Sequence, residues 1–276
     1  MATIMSMSER INDPVILFRK SCEFEDERQV CQKYFRTLEQ RTACRNQLVV
    51  ARYSALPFYR ELEVDLQSLG CRLINSYGEH SWIANFDYYE DLVEFTPESW
   101  DDYSFQHCDY AGPFVIKGRT NSRKFEWNKL MFAPTRKDAV RIAAELAGDG
   151  LIGPQGVIYR KYVPLRTFEV GLNGLPFTNE WRFFFLREKC LSYGYYWSSA
   201  DDVSLGQINP VAIELAQRIA KIVAERVPFF VLDLAETEEG DWILIEVNDG
   251  QQSGLSENDP NTLYFNLRTA LSKESL

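Results

Sequence analysis

The sequence predicts an α/β domain over residues 13–110 followed by an α+β domain over residues 111–276. In the first part, short apolar runs alternate with segments of helical periodicity, which is typical of a parallel sheet with crossover helices. From residue 112 onward, β-rich runs of alternating polarity dominate, with two amphipathic helices between them. The segment FTPESW at 95–100 marks the end of the first pattern.

The composition is that of a globular protein. With 276 residues, 45% of them apolar and 14% aromatic, the chain can bury a substantial core. No apolar run reaches the roughly 18 residues of a membrane span, and residues 1–14 lack the layout of a secretory signal, so we expect no membrane partner and a cytoplasmic location. The net charge of −10 argues against broad binding of nucleic acid, although it is compatible with a local basic groove.

The cysteines and histidines point away from zinc sites and histidine-based triads. The six cysteines form no C-x-x-C pair and no spacing typical of zinc ligands, which fits reduced thiols better than disulfides. His80 and His107 are the two histidines, and we expect structural rather than catalytic roles for them.

Three strands and two helical segments are predicted in the first domain. The strands cover 14–19, 47–53 and 72–75, where apolar residues run together. The charged segment 25–40 has apolar residues at helical spacing, and a second helix begins at Pro57 and is stopped by Gly70.

A strand over 113–118 carries Lys117 near its end. Because lysine is seldom buried without a partner, this side chain either extends to solvent or reaches an anionic ligand such as a phosphate. The polar segment that follows contains Lys124, a candidate ligand-binding residue if the segment closes over phosphates; the alternative is a solvated turn.

Two further strands carry charged residues inside apolar runs. In the first, over 156–163, alternation places Tyr159 and Lys161 on one face and Arg160 and Tyr162 on the other. In the second, over 177–187, Glu180 and Arg182 share a face with Phe184 and Leu186. Residues 189–197 are the predicted hairpin partner, and helices are predicted at 135–148 and 210–226.

Residues 229–250 predict two strands joined by a tight acidic turn. Asp233 lies on one face of the first strand. In the second, Leu244, Glu246 and Asn248 are expected on one face, and Ile243, Ile245 and Val247 on the other. Pairing of the strands would place Asp233, Glu246 and Asn248 side by side as hard oxygen ligands of the kind that Mg²⁺ prefers. Taken alone, the hairpin is equally compatible with ordinary solvated acids.

The order of these features resembles the nucleotide-binding core of the ATP-grasp superfamily. A strand with Lys117, a helix, a strand with Lys161, a strand with Glu180-x-Arg182, a helix, Asp233 and Glu246-x-Asn248 follow one another over residues 112–255. The segments VIYRKYVPL and NEWRFFF are most similar to its Arg-plus-two-Lys clade, which includes the eukaryotic cell-division-cycle chaperone that assembles translation initiation factor two. The resemblance implies ATP held between two α+β lobes, behind a preceding α/β domain.

The resemblance also implies a role for each candidate residue. Lys117 and Arg182 are the implied catalytic residues, because phosphoryl transfer requires positioning and charge neutralisation. Asp233, Glu246 and Asn248 would hold one or two Mg²⁺ ions. The implied contacts to ATP are Lys117, Tyr159, Arg160, Lys161, Tyr162 and Arg182, to which the polar loop adds Lys124.

The implied activity is that of an ATP- and Mg²⁺-dependent carboxylate–amine ligase acting through an acyl-phosphate. Its partners would be small-molecule, peptide or protein carboxylates and amines. Two alternatives remain open: a nucleotide-binding assembly chaperone without ligase turnover, and an α/β protein whose strand-end charges only decorate its surface. Many ATP-grasp members have an acid in the hinge strand where this chain has Arg160-Lys161, so no ribose-binding residue is assigned, and no residue for the acceptor.

Overall fold

The computed structural model describes residues 13–20, 25–197 and 207–274. The strands are β1 (Val15–Phe18), β2 (Arg36–Leu38), β3 (Leu48–Arg52), β4 (Arg72–Leu73), β5 (Ser99–Trp100), β6 (Phe114–Gly118), β7 (Phe132–Ala133), β8 (Val157–Lys161), β9 (Thr167–Val170), β10 (Pro176–Thr178), β11 (Glu180–Leu186), β12 (Lys189–Tyr195), β13 (Phe229–Glu236) and β14 (Trp242–Asp249). The α-helices are α1 (Glu25–Cys31), α2 (Tyr59–Ser68), α3 (Tyr77–Ala84), α4 (Tyr88–Leu92), α5 (Asp102–Gln106), α6 (Arg136–Ala147), α7 (Pro210–Val223) and α8 (Pro260–Glu274).

The first sheet is parallel, as the alternation of strands and helices predicted. Its order is β2-β1-β3-β4, so both β2 and β3 pair with β1. Apolar residues of α2 pack against one face, because Tyr59, Leu62 and Leu66 recur at helical spacing and are all buried.

The helix predicted over residues 25–40 is too long. Helix α1 ends at Cys31, and β2 begins at Arg36 and pairs with β1 through Val15 and its neighbours. Phe35 is buried in the core between the two elements, edge-on to Tyr264 of α8. Local spacing favoured a helix, but backbone pairing with the exposed edge of β1 decided the conformation after Tyr34.

The rest of the chain forms the two lobes expected of the α+β region. In one lobe, the sheet β5-β8-β6-β7 is covered by α6. In the other, the antiparallel sheet β12-β11-β13-β14 has α7 on one face and α8 on the opposite face. The division of the chain at residue 110 stays a prediction.

The sheet β12-β11-β13-β14 is covered on one face by α7, and helices from the first part of the chain pack on the same face. Ile83, Phe86, Tyr88 and Leu92 from α3 and α4 share one apolar core with that sheet. Among the described residues, no helix combines the length and apolar character needed to cross a membrane. The five cysteines within the described ranges are free thiols.

Candidate functional site

A cavity with a volume of about 150 Å³, open to solvent on one side, lies between the sheet β5-β8-β6-β7 and the sheet β12-β11-β13-β14. Its apolar lining includes Val115, Met131, Val163, Leu165, Leu175, Ile243 and Ile245, and its charged lining consists of Lys117, Lys124, Arg160, Lys161, Glu180 and Glu246. An apolar pocket with a few converging charged groups is the usual form of a small-molecule site.

The predicted metal ligands meet beside this cavity. Strands β13 and β14 pair in antiparallel register with Asp233 opposite Glu246. The Asn248 amide nitrogen donates to Asp233 Oδ2 at 3.1 Å and to Glu246 Oε2 at 3.2 Å. The predicted juxtaposition is therefore confirmed, while metal binding by these residues stays a prediction.

The prediction of which side chains of β14 share a face is wrong at one end of the strand. The register shifts between Asp233 and Leu234, whose partners are Glu246 and Leu244, so Ile245 is an extra residue in β14. This β-bulge turns Leu244 into the core and places Ile243 on the cavity side with Glu246. A bulge reverses the alternation beyond it, which a strict two-residue period misses.

Arg182 and Asp233 form a buried bidentate pair. The Arg182 Nε and Nη2 atoms each lie 2.8 Å from a different oxygen of Asp233. Arg182 Nη1 donates to the Gly254 carbonyl oxygen at 2.9 Å, and the guanidinium lies 4.8 Å from the centre of the Tyr196 ring. Burial lowers the pKa of Arg182, but the charge and hydrogen bonds of Asp233, together with Tyr196 and Glu246, raise it above its ordinary value. Arg182 is therefore a fixed cation next to Tyr196, which lines the cavity.

Lys117 joins the two sheets by pairing with Glu246. Its side chain is buried, so the alternative of an extension to solvent does not hold. Burial raises the pKa of Glu246, but the Lys117 ammonium group and the hydrogen bonds from Lys117 and Asn248 lower it below its ordinary value. Glu246 is accordingly ionised at neutral pH, as a metal ligand must be.

Glu180 is a cavity residue that the sequence-based assignment omitted. Burial, followed by the charge of Asp233, raises its pKa to about 8. Thr178 Oγ1 lies 3.3 Å from Glu180 Oε2. The Glu180-x-Arg182 spacing could have identified Glu180 as a site residue, because two residues separated by one position in a strand face the same side.

Lys124 reaches the cavity from the loop after β6. Its Nζ atom donates to the Tyr196 hydroxyl at 2.9 Å and lies 4.6 Å and 5.1 Å from the ring centres of Tyr196 and Trp197. Burial lowers its pKa. The alternative of a solvated turn therefore fails at Lys124, whose ammonium group is held against two aromatic rings.

The four predicted hinge residues divide between two faces of β8. Tyr159 does not line the cavity: it stacks on Phe105 at 3.8 Å in the core beneath α6. Arg160 and Tyr162 do line it, as the alternation requires. Lys161 contributes to the lining as well, but its Nζ lies 5.3 Å from the centre of the Tyr110 ring.

Arg160 connects β8 to the opposite sheet. Its Nε donates to Ser99 Oγ at 3.2 Å and its Nη1 to the Ile245 carbonyl oxygen. Its Nη2 atom is buried and has no hydrogen-bond partner among the described residues. An orphaned buried donor of this kind costs free energy, which a bound ligand or water would relieve.

The donor set fits a magnesium–nucleotide complex. Two carboxylates and an amide converge at Asp233, Glu246 and Asn248, with the cations of Lys117, Lys124 and Arg182 around them. Within the described residues, no three His, Cys, Asp or Glu side chains are grouped to hold a metal ion by themselves. A magnesium ion here would therefore need phosphate oxygens to complete its coordination.

Solved structures with the same fold cover almost the whole chain. The D-cycloserine synthetase DcsG aligns with a TM-score of 0.61 and 12% identity, over 95% of this chain and 99% of its own. The D-alanine–D-alanine ligase from Bacillus anthracis, complexed with ATP, has a TM-score of 0.58 and 11% identity, over 96% and 99% of the two chains. The ATP-grasp ligase PsnB, complexed with precursor peptide PsnA2 and AMPPNP, has a TM-score of 0.57 and 10% identity, over 95% and 99%.

These identities are low, so the likeness is one of fold. Comparison with curated proteins gave no match. Residues 104–267, more than half of the chain, match a family model described as an ATP-grasp domain, family 3 of the Arg-plus-two-Lys clade. The match covers all the charged side chains that line the cavity and every lining residue except Pro97. The chain therefore belongs to the ATP-grasp proteins, in the family of that description.

Proposed function

We propose that this protein is an ATP- and Mg²⁺-dependent carboxylate–amine ligase that acts through an acyl-phosphate. The observation that carries the proposal is the convergence of three cations and three oxygen ligands from four separate strands and a loop. Lys117, Lys124 and Glu246 line the largely apolar cavity. Arg182, Asp233 and Asn248 lie directly behind them, linked to Glu246 and Tyr196 of the lining. The amino-acid composition alone does not require these cations and oxygen ligands to come together. Each charge is buried or half-buried, and each has a partner of opposite sign or an aromatic ring close by.

The chain's own residues supply binding and charge neutralisation. Ile243, Ile245, Met131 and Leu175 form the apolar walls that suit an adenine ring. Lys117 and Lys124 bind phosphate oxygens, and Arg182, held rigid by Asp233, neutralises the transferring phosphoryl group. Asp233, Glu246 and Asn248 would hold Mg²⁺, which supplies further neutralisation of the phosphate charge.

The reaction balances without a further reactant. A carboxylate oxygen attacks the γ-phosphorus of ATP, the bond to the β-phosphate oxygen breaks, and ADP leaves. An amine nitrogen then attacks the carbonyl carbon of the acyl-phosphate, inorganic phosphate leaves, and the amine loses a proton. This chemistry relies on positioning and electrostatics more than on a protein nucleophile.

The named activities of similar folds support the choice of ligase. Two of them are called ligases, and one of these is bound to a precursor peptide. We therefore include amino acids and peptides among the acceptors to test. The relation to the eukaryotic assembly chaperone stays a prediction.

The test is turnover with pools of carboxylates and amines, followed by release of ADP and phosphate. One carboxylate–amine pair should stimulate both products in the presence of Mg²⁺, and ¹⁸O in the carboxylate should appear in the released phosphate. Release of AMP and pyrophosphate would contradict transfer of the γ-phosphoryl group. Thermal stabilisation by ATP and Mg²⁺ without turnover in any pool would favour a binding protein instead.

A further inference from the structure

A second, larger cavity of about 560 Å³ lies at the parallel sheet β2-β1-β3-β4. It shares no lining residue with the cavity between the two lobes. The residues around it come from the carboxyl ends of three strands: Phe18 and Arg19 at β1, Glu39 after β2, and Tyr53 after β3. The loops that follow β2 and β3 complete the wall, with Gln40, Arg41, Thr42, Ser54, Ala55, Leu56 and Phe58.

The strand order of the parallel sheet explains why a ligand-binding cavity is expected at this position. From β1 the chain continues to β2 on one side and then returns to place β3 on the other side. The connections on the two sides of β1 therefore leave in opposite directions, which opens a crevice at the carboxyl ends. In open α/β sheets, ligands bind in such a crevice, where the strand order reverses.

The charged lining is positive, although the whole chain has a net charge of −10. Arg19 is exposed, and its side chain has no ion-pair partner among the residues that the structure describes. Arg41 Nη1 lies 2.6 Å from Asp65 Oδ2, in a pair that is partly exposed to solvent. The carboxylate of Glu39 is held by Arg28 at 3.2 Å. Among the described lining residues, two are arginines and one is an acid. Arg41 and Glu39 each have an ion-pair partner outside the lining, which leaves Arg19 as the cation without one in the part of the chain that the structure describes.

Tyr53, Arg19 and Arg41 line the same cavity. Burial raises the pKa of Tyr53, and the charges of Arg41 and Arg19 oppose that rise. Leu17, Phe18 and Leu56 add an apolar wall. A hydroxyl donor, two cations and an apolar wall match a small organic anion.

We propose that this cavity binds a small anion, a carboxylate or a phosphate, through Arg19, Arg41 and the Tyr53 hydroxyl. The site stands apart from the proposed ligase cavity and does not depend on ATP. It is nevertheless connected to that cavity through β3. Arg52, next to Tyr53, donates to the Gly250 carbonyl oxygen just after β14 and pairs with Glu27 at 2.9 Å. The anion is therefore either the acceptor of the ligase or an effector that acts through β3.

Binding of inorganic phosphate and of succinate to the full chain tests the proposal, by calorimetry at constant ionic strength without ATP. We expect saturable binding of at least one probe, and about a tenfold rise in its Kd in Arg19→Gln and in Arg41→Gln, because each loses one charge-assisted contact. Arg72→Gln is the matched control, since Arg72 is exposed at the amino end of the same sheet, where β4 begins.

Binding that is absent for both probes, or that is equal in Arg19→Gln, Arg41→Gln and Arg72→Gln, overturns the proposal. The equal-binding outcome would include phosphate held only by the cavity between the lobes. Far-ultraviolet circular dichroism confirms folding of the variants, in which the substituted side chains are exposed at Arg19 and Arg72 and half-buried at Arg41. Addition of ATP, Mg²⁺ and pooled amines then separates the two sources: a bound carboxylate converted into its amide is the acceptor, and one that changes ADP release while staying intact is an effector.

Discussion

Arg182 and Asp233 face each other across β11 and β13 and share two parallel hydrogen bonds of 2.8 Å. The pair is buried, so each charge depends on the other to offset its desolvation. The geometry explains how a guanidinium can sit in a strand that is otherwise aromatic. It also holds one oxygen of Asp233 3.1 Å from the Asn248 amide, which ties the cation to the proposed metal ligands.

Replacement of this arginine by lysine should damage both catalysis and stability. Lysine keeps the charge but cannot form the bidentate pair. We expect Arg182→Lys to lower kcat by about 100-fold or more, as for loss of a preorganised donor, and the free energy of unfolding by about 1–3 kcal/mol. Enzyme assays and denaturant unfolding measure the two effects. Arg226→Lys, at an exposed pair with Asp91, should leave both nearly unchanged.

Replacement of Glu246 should abolish the response to magnesium. In Glu246→Gln the amide keeps the shape of the side chain but loses the charge that a magnesium ligand provides. The wild-type protein at 100 times Kd should gain about 2.7 kcal/mol from ATP with Mg²⁺. The part of the melting-temperature shift that depends on Mg²⁺ should vanish in the variant. Glu238→Gln, in the exposed turn of the same hairpin, should retain it; equal shifts in both variants would remove Glu246 from the site.

Loss of the Lys124 ammonium group should weaken ATP binding. The group is held between the Tyr196 and Trp197 rings at the cavity, where it can meet a phosphate. We expect Lys124→Ala to raise the Kd for ATP by about tenfold or more, since hydrogen bonds to charged groups contribute about 1.5–3 kcal/mol. Lys129→Ala removes an exposed lysine from the same segment. A similar loss of affinity in Lys129→Ala would mean that net charge, rather than position, determines binding.

Glu180 should make the folded protein less stable as the pH rises. Its pKa is about 8 in the folded chain and about 4.5 when solvated, so the folded state holds more protons between these values. Its contribution to the free energy of unfolding therefore falls between pH 4.5 and 8, by at most about 1.4 kcal/mol per pH unit. Glu180→Gln should remove this slope, so that the variant gains stability relative to wild type at pH 8. Parallel pH profiles of the two proteins in urea unfolding would rule out the raised pKa.

Alternation along single strands was sufficient to predict several elements of the site. The pattern of β11 placed Glu180 and Arg182 on one face, and that of the acidic hairpin placed Asp233 beside Glu246 and Asn248. These features depend on a two-residue period and on a turn, both of which are local. The same period predicted that Tyr159 and Arg160 face opposite ways, although it could not say which face meets the cavity.

Other features depend on partners that are distant in the chain. Strand β2 exists because β1 offers an unpaired edge, and helical spacing near Phe35 gave no sign of it. The bulge at Ile245 arises from the register between β13 and β14, and it decides that Ile243 rather than Leu244 lines the cavity. Register is a relation between two strands, so the pattern of one strand cannot supply it.

Local patterns were enough to predict the longer strands of the two lobes and the side of each on which its charges lie, because backbone geometry sets those periods. They missed the short strands β5, β7 and β9, and they did not separate β10 from β11. Local patterns could not specify which charged side chains would pair with each other. Lys117 and Glu246 are 129 positions apart, and they pair because one sheet packs over the other. That packing buries both charges, and burial makes a pairing across the cavity necessary. The place where the oxygen ligands and the cations come together is therefore a property of the folded chain.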